Sequence, residues 1–424
     1  MDAGRKLGAQ GTINANLLGA ARGRIAALVP GPETMTASTN RLHRDKQDGA
    51  ASASGAAIPV WDRAVRLFHW LLAASVAGAA LTGFFGGARW LDPHVILGTA
   101  IALLLAFRIV WGFTGPAYAR FRSFVPSPAG ILRHARELAG GQASHYTGHN
   151  PIGSAMIVTL LAVLAAIAGT GVIVLGGIVK EGPLAPFLSF TAAAGVKEVH
   201  ELLAFLLLGL IGLHVAGVLA ESWRTRENLI RAMLTGRKSV RPGAVAAAAV
   251  PPRPLSAAIA FLALAALAGG AIAHFSQLPA LGVPAQPLDA AYAKECGSCH
   301  SAHHPSLAPA ATWTAIMAGL DGHFGENASL DAATAARFTA YLTENAAEKW
   351  DTWPANRLRT ASEQHPLRIT DTRGWKRLHR GLPDEAFKSK AVGGKLNCTK
   401  CHRDAESGRF APRAIAIPEE KASR

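Results

Sequence analysis

The chain has 424 residues, which is enough for two or three domains. Half of the residues are apolar and they occur in long blocks, so the composition excludes a purely soluble protein and indicates membrane helices joined to a soluble part. The formal net charge is +15, but Lys and Arg lie mostly between the apolar blocks, without accompanying aromatic-basic patches. The charge therefore indicates membrane topology, and no nucleic-acid partner is expected.

Residues 1–57 are rich in Gly, Ala, Ser, Thr and basic residues and show no sustained apolar period. Such a segment buries too little apolar surface to fold, so a disordered N-terminal extension is predicted. Translation from Met35 is an alternative to translation from Met1, and the pattern does not separate a late start from a flexible tail. No cleavable N-terminal signal peptide is expected.

Five apolar blocks follow, each close to or above the roughly 20 residues that cross a bilayer. They are Leu67–Gly87, His94–Phe113, Ile152–Val179, Val199–Ala220 and Leu255–Phe275. The first four predict a bundle of four transmembrane helices within residues 58–240. The fifth predicts one more membrane helix after a linker, within residues 241–275. The predicted fold class is all-α.

The connections between these blocks differ in basic charge. The 115–150 connection and the segment after the fourth block are rich in Arg and Lys, whereas the 88–93 and 180–198 connections are poor in both. Loops rich in Arg and Lys stay on the cytoplasmic side of a membrane. The N-terminus is therefore expected in the cytoplasm, and residues 276–424 on the periplasmic side.

Residues 276–424 have dispersed charge and contain four tryptophans. The run from Leu330 to Trp350 has a helical pattern, with Ser329 or Asp331 as its N-cap. These features predict a small soluble domain that is mostly helical, rich in loops and without a large core of its own.

All the cysteines of the chain lie in two C-x-x-C-H motifs. The motifs are Cys296, Cys299 and His300, and Cys398, Cys401 and His402. In this motif two thiols attach a c-type haem, and the adjacent His ligates its iron. A zinc site does not require a His beside each cysteine pair, a redox dithiol gives no reason for the repeated His, and disulfides do not need this spacing. Two covalent haems c are therefore predicted, and they would supply the missing core.

A sixth ligand for each c-type iron is expected within the same domain. The candidates are His303, His304, His323, His365, His379 and Met317. His303 and His304 follow His300 too closely to reach the far face of the same haem. His323 is favoured for the first haem and His379 for the second. His365 is expected at the surface, and Met317 stays an alternative.

Four histidines stand out in the first, second and fourth apolar blocks, because ionisable residues inside a membrane are rare and indicate function. His200 and His214 are separated by a helical rise of about 21 Å and share one helix face. Matching levels across the bilayer pairs His69 with His214 on the inner side and His94 with His200 on the outer side. Each pair could ligate one non-covalent haem b within the bundle.

Other polar residues near the membrane keep several interpretations. His274 is expected at the interface, and Arg108 either snorkels to the surface or pairs with a haem propionate. Glu201 orients His200, takes a proton from a quinol, or is an ordinary helix-end residue. The loop histidines are expected to be solvated: His134, His145 and His149.

Several segments resemble the bacterial cytochrome b-561 family, which includes the nickel–iron-hydrogenase b-type cytochromes. They are "VWDRAVRLFHWLL", "RIVWGFTGPAYARF", "GHNPIG", "VHELLAFLLLGLIGLHVAGVL" and "RENLIRAMLTGRK", within residues 58–240. The resemblance implies a bacterial inner membrane location and four helices that hold two haems b. By motif, the ligands would be His69, His94, His200 and His214.

The C-terminal part, residues 286–418, resembles the dihaem cytochrome c family. The resemblance rests on "CGSCHSAHHPSLAPAATWTAIMAGLDGHFGENASLD", "HPLRITDTRGWKRLHR" and "NCTKCH". It implies two c haems with His on both faces, which supports His323 and His379. The chain departs from the pattern of both families because the two parts are fused. The fifth block resembles an export signal kept as a membrane helix, and its "AIA" leaves open whether the mature chain is one piece.

The function expected is membrane-bound electron transfer between the quinone pool and a periplasmic acceptor, such as a cytochrome, through two haems b and two haems c. One alternative is a b-type subunit that passes electrons from a hydrogenase or dehydrogenase into quinone. Another is a haem-based redox or gas sensor. No hydrolytic or transferase site is evident and no catalytic residue is assigned, so quinol oxidation of the quinol:cytochrome c type is the one enzymatic activity in view.

Overall fold

The computed structural model describes residues 57–142, 144–239 and 250–418. The predicted disordered extension lies outside the described residues except for Ala57, and so does the linker before Val250. The described chain is mostly helical, which confirms the all-α prediction.

Five helices among the described residues are long and apolar enough to cross a membrane, as predicted. The membrane helices, named first to fifth in chain order, are Arg63–Phe85, Ala88–Thr114, Pro151–Val179, Phe190–Thr225 and Pro254–Phe275. The fourth helix begins at Phe190, well before the apolar block that starts at Val199. Its first turns contain the charged residues Lys197 and Glu198, which the apolar block does not include. The chain is a multi-pass membrane protein.

Shorter elements connect the membrane helices on the Arg-rich side. They are the helices Phe121–Phe124, Pro128–Ala139 and Leu229–Thr235 and the strands Ala57–Pro59 and Arg237–Ser239. Val60 and Trp61 donate their backbone amides to the Gly236 carbonyl, at 2.8 and 3.1 Å. The chain entering the first helix is therefore tied to the chain that has left the fourth.

Polar side chains fix where the membrane helices begin. Asp62 accepts hydrogen bonds from the amides of Ala64 and Val65 at the first helix. Asn150 caps the third helix, whose first residue is a proline, and Ser189 caps the fourth. Amides in the first turn have no partner within the helix, so a side-chain oxygen at this position stabilises the start.

The first four membrane helices share one apolar core. Its buried residues come from all four helices: Val76, Ile101, Leu105, Leu164 and Leu207. Leucines on the opposite faces, such as Leu67 and Leu202, are exposed and suit contact with lipid. The fifth helix packs outside this core against the second, with the rings of Phe107 and Phe261 edge to face.

The third membrane helix ends in a π-helical turn, Leu175–Val179, that approaches the fourth helix closely. A Cβ atom on Gly177 would lie 2.2 Å from the Cβ of Ala193, so only glycine fits. Lys180 then adopts a left-handed conformation, with φ of 62°, and ends the helix.

The C-terminal region, residues 276–418, consists of short helices and loops. Its α-helices are Ala290–Cys296, Ala310–Ala318, Ala332–Glu344, Trp353–Leu358, Arg373–Leu378 and Asp384–Lys388. Asp331, one of the two predicted caps, accepts from the Thr334 amide. A small core lies beside the first C-x-x-C-H motif: Tyr292, Ala308, Trp313, Phe338, Leu342 and Ala346. The loop-rich character agrees with the prediction.

Asp351 joins the C-terminal region to the membrane helices. Its carboxylate accepts from the Phe190 amide and from Lys180 Nζ, both at 2.7 Å. Lys180 is buried. Trp353 packs beside this contact against Ile178, Phe190 and Ala193. The contact lies at the bundle end where the third helix ends and the fourth begins, which is also the end nearer His200.

Replacement of Asp351 by alanine should destabilise this contact, because Lys180 would stay buried without its counter-charge. The loss expected for a broken buried ion pair is about 3 kcal/mol or more. Thermal unfolding of the purified protein should show a lower midpoint, and hydrogen exchange at residues 180–190 should rise. Asp371→Ala is the matched control, because its partner Lys376 is mostly exposed and the pair contributes about 1 kcal/mol or less. Equal losses in the two variants would contradict the assignment.

Candidate haem sites

The first C-x-x-C-H motif follows the helix Ala290–Cys296. All the cysteines are free thiols. Burial raises the pKa of Cys296 to about 11. Among the residues that the structure describes, no three His, Cys, Asp or Glu side chains are grouped to hold a metal ion.

His300 and His323 face each other beside this motif. Their ring centroids are 6.4 Å apart, and the rings are 26° from parallel. An iron bonded at about 2 Å to one nitrogen of each of two imidazoles separates the ring centroids by about 6.3 Å. His303 lies only 4.9 Å from His300, ring to ring, which is too close for an iron between them. The two rings that fit are therefore His300 and His323.

The second motif also has a histidine pair at this separation, although its rings are 81° from parallel. The His379 and His402 ring centroids are 6.2 Å apart. His379 Nδ1 lies 2.9 Å from the Trp375 carbonyl oxygen. Because a carbonyl only accepts, Nδ1 carries the hydrogen and Nε2 is left for a metal. The His379 ring also stacks on the Trp375 ring, at 4.2 Å, which fixes its orientation.

Ser301 and Thr399 bring the two motifs into contact. Their hydroxyl oxygens are 2.8 Å apart. An open cleft of about 340 Å³ lies here, with Cys299 and His300 on one side and Lys400 on the other. The two motifs are therefore in direct contact through Ser301 and Thr399.

His94 and His200 are brought together near the starts of the second and fourth membrane helices. Their ring centroids are 6.3 Å apart, so this pair also has the separation that bis-imidazole ligation of an iron needs. The second and fourth membrane helices supply the two rings, as level-matching predicted.

Two threonines orient these rings. His94 Nδ1 lies 3.2 Å from Thr82 Oγ1 and 3.0 Å from the Ala79 carbonyl oxygen, and His200 Nδ1 lies 3.0 Å from Thr170 Oγ1. Both hydroxyls donate to carbonyls one turn earlier, so their oxygens accept from the imidazole. Nδ1 is thus satisfied in each ring, and Nε2 is left for a ligand.

Each threonine is followed by a glycine that leaves room for a ring. A Cβ atom on Gly83 would lie 3.0 Å from His94 Cε1, and one on Gly171 would lie 3.4 Å from His200 Cε1. The first and third membrane helices therefore carry the same Thr-Gly pair at the same level. Sequence reasoning missed both threonines, although the repeated Thr-Gly near the outer ends of two helices was a readable signal.

The predicted inner pair is His69 and His214. Both are half-buried and lie near enough for their charges to interact. His69 Nδ1 is buried without a hydrogen-bond partner. The donor chemistry of this pair suits a second non-covalent haem, and the orphaned nitrogen indicates a missing partner at this level.

Comparison with known proteins identifies both parts of the chain. A family described as prokaryotic cytochrome b561 matches residues 60–236, and a family described as dihaem cytochrome c matches residues 292–410. The membrane part of the chain therefore matches the cytochrome b561 family, and the C-terminal region matches the dihaem cytochrome c family. The chain is a membrane electron-transfer protein with haem b and haem c as cofactors.

Individual relatives cover one part each. A probable Ni/Fe-hydrogenase B-type cytochrome subunit of Rhizobium leguminosarum bv. viciae is 24% identical over 209 residues, covering 42% of this chain and 87% of that protein. The crystal structure of DHC from Rhodobacter sphaeroides is 38% identical and covers 29% of this chain and 97% of its own, with a TM-score of 0.23. The dihaem cytochrome type c of Shewanella baltica OS155 is 36% identical and covers 31% and 95%, with a TM-score of 0.25.

Arg108 lies in the second half of the second membrane helix, away from His94. It is only 5% exposed and lies 4.9 Å from the centroid of the Phe121 ring, so it does not snorkel to the surface. Its Nη1 atom is buried without a hydrogen-bond partner. A buried, unpaired guanidinium nitrogen suits an anion, which leaves the haem-propionate interpretation of Arg108 standing.

The loop histidines are not solvated, contrary to expectation. His134 is 2% exposed, and His145 lies 3.7 Å from the Glu227 carboxylate. The His149 ring lies 4.4 Å from the Trp61 ring, and burial lowers the pKa of His149 to about 3. The expectation failed because the connection folds back against the helix ends and covers these side chains.

The remaining candidates lie outside the paired sites. His365 and His274 are exposed, as expected. Met317 packs against the small core of the C-terminal region. His304 is buried and bonds Ser306, and burial lowers the pKa of His304 to about 4. Glu201 pairs with Lys197 on an exposed helix face.

Replacement of Thr170 by valine should weaken retention of one haem b, because His200 Nδ1 loses its acceptor. Loss of such an outer partner costs tenfold or more in metal affinity, and about tenfold is expected here. Transfer of haem to an apoglobin measures the retention. Thr159→Val, on an exposed face of the same helix, is the control and should keep the wild-type rate. The same rate in both variants would count against the orienting role.

Proposed function

We propose that this chain passes electrons between the quinone pool and a periplasmic acceptor through two haems b and two haems c. The proposal rests on three histidine pairs whose ring centroids lie 6.2 to 6.4 Å apart, two of them containing the His of a C-x-x-C-H motif. Bound haem supplies a one-electron carrier at each pair. The fourth site is assigned to His69 and His214.

The ligand assignment follows the same geometry. Cys296, Cys299, Cys398 and Cys401 would attach the two haems c. The iron ligands would be His300 with His323, His402 with His379, His94 with His200, and His69 with His214. Imidazoles on both faces leave no open coordination position, which favours electron transfer over gas sensing.

The proposed topology places the N-terminus in the cytoplasm and the C-terminal region in the periplasm. Residues 58–240 would form the haem b bundle, 241–275 the linker and fifth helix, and 276–424 the dihaem cytochrome c domain. Support comes from Asp92 and Glu181, which lie in the two connections poor in basic residues and contact Arg413 of the C-terminal region. The Arg-rich connections are at the opposite ends of the same helices.

A second candidate is a b-type subunit that delivers electrons from a hydrogenase into quinone. The name of the Rhizobium relative favours it. That relative corresponds to the membrane part of this chain, whereas the chain also carries residues 292–410 of the dihaem cytochrome c family. The fused c-type part would accept electrons from the bundle. We therefore favour quinol oxidation as the direction of electron flow.

The purified full-length protein should contain two haems that survive acidified-acetone extraction and two that do not. Thioether bonds hold the first two, whereas axial histidines alone hold the others. Pyridine haemochrome spectra before and after extraction measure both kinds. Paired replacement of Cys296 and Cys299 by alanine should remove one covalent haem only. A ratio other than two to two would contradict the tetrahaem assignment.

Anaerobic addition of duroquinol to the detergent-solubilised protein should reduce both b-type and c-type haems. Quinol is the donor and the c-type sites are the last internal acceptors, so both sets of absorption bands should appear. The control is His274→Ala, at an exposed position outside the paired sites, which should keep the wild-type rate. If duroquinol reduces neither set while dithionite reduces both, quinol is not the donor and the proposed function is wrong.

A further inference from the structure

One basic side chain connects the C-terminal region to the entrance of the second membrane helix. Arg413 Nε lies 2.6 Å from Asp92 Oδ1, and its Nη1 lies 3.1 Å from Glu181 Oε2. Asp92 precedes His94 by two residues in the same helix. Arg413 therefore binds next to the outer histidine pair of the bundle.

The segment around Arg413 is also joined to the second C-x-x-C-H motif. His402 and Ile415 form an antiparallel backbone bridge. The Arg403 amide donates to the Ala414 carbonyl at 3.0 Å, and the Ala416 amide donates to the Cys401 carbonyl at 2.7 Å. The Arg413 segment thus lies between the second motif and the outer histidine pair, with backbone hydrogen bonds on one side and ion pairs on the other.

A separate contact joins the first C-x-x-C-H motif to the second. Ser301 follows His300, Thr399 lies between Cys398 and Cys401, and their hydroxyl oxygens are 2.8 Å apart. These contacts therefore order the sites: the outer membrane pair, then the second motif, then the first.

The charge of the two halves of the C-terminal region fits this order. Residues 289–348, around the first motif, contain seven acidic and two basic residues, whereas residues 373–403, around the second, contain nine basic and two acidic ones. A basic half suits the end of the bundle that carries Asp92 and Glu181. An acidic half suits a partner protein with a basic docking face.

We propose that electrons leave the membrane bundle through the second c-type site, His379 and His402, and leave the chain through the first, His300 and His323, to a basic acceptor protein. Arg413 positions the second site against the outer histidine pair. This route rests on the proposed function. Each step moves one electron and no proton: the outer b-type site is oxidised as the second c-type site is reduced, the second is oxidised as the first is reduced, and the acceptor takes the electron last.

Replacement of Arg413 in the full-length holoprotein tests the contact between the Arg413 segment and the outer histidine pair. Arg413→Gln should slow duroquinol reduction of both c-type sites at least tenfold without changing the reduction rate of the b-type sites or the haem content. It should also raise hydrogen exchange at residues 88–92 and 412–416. Arg413→Lys keeps the charge and should restore most of the rate. Arg373→Gln, at an exposed arginine paired with Glu363, is the control and should change neither measurement.

Wild-type exchange and wild-type c-site reduction in Arg413→Gln would overturn the positioning role. The order of the two sites is tested separately with the cysteine pairs. Replacement of Cys398 and Cys401 by alanine should leave the first c-type site unreduced by duroquinol, though dithionite still reduces it. Replacement of Cys296 and Cys299 should leave duroquinol reduction of the second site at the wild-type rate and slow reduction of added mitochondrial cytochrome c, a basic acceptor, at least tenfold.

The reverse pattern, with the first site reduced normally when the second is absent, would overturn the route and leave the proposed function standing. Failure of duroquinol to reduce the wild-type b-type sites would instead overturn the proposed function. The two failures are therefore distinguishable by which set of absorption bands stays oxidised in the wild-type protein.

Discussion

An imidazole inside a bilayer has two ring nitrogens to satisfy and no water to satisfy them. Each unsatisfied polar group in such a place costs free energy comparable to a lost hydrogen bond, so partners must come from neighbouring helices. Thr82 Oγ1 accepts a hydrogen bond from Nδ1 of His94, and Thr170 Oγ1 accepts one from Nδ1 of His200. The two Nε2 atoms are then left for a shared metal. This arrangement involves four helices, because two of them supply the imidazoles and the other two supply the threonines.

The two Thr-Gly pairs show how the bundle meets that requirement on both sides. Thr82 and Gly83 lie in the first helix, and Thr170 and Gly171 in the third, so each ligand-bearing helix has a neighbour that orients its ring and leaves room beside it. The hydroxyls are satisfied in turn by carbonyls of their own helices. A fully satisfied polar network of this kind rigidifies the site within an apolar surrounding.

The C-terminal region differs from the bundle, because it is exposed to water and has only a small apolar core. Six buried residues support its first half, and short helices and turns make up most of the second. Covalent attachment at two C-x-x-C-H motifs would add large apolar groups where a chain of this size needs them. The region is also held against the bundle by Asp351 and Arg413, which pair with Lys180, Asp92 and Glu181.

Local patterns were enough to predict much of this protein. Apolar length predicts the five membrane helices, the C-x-x-C-H spacing fits one turn of chain, and His200 and His214 share a face because they lie on one helix. Tertiary structure alone decided the rest. The Thr170 contact with His200, the burial of His134 and His149, and the Arg413 bridge to Asp92 join segments far apart in the chain. Periodicity records which face of its own element a side chain occupies, but not which distant element packs against that face, so only the folded chain decides these contacts.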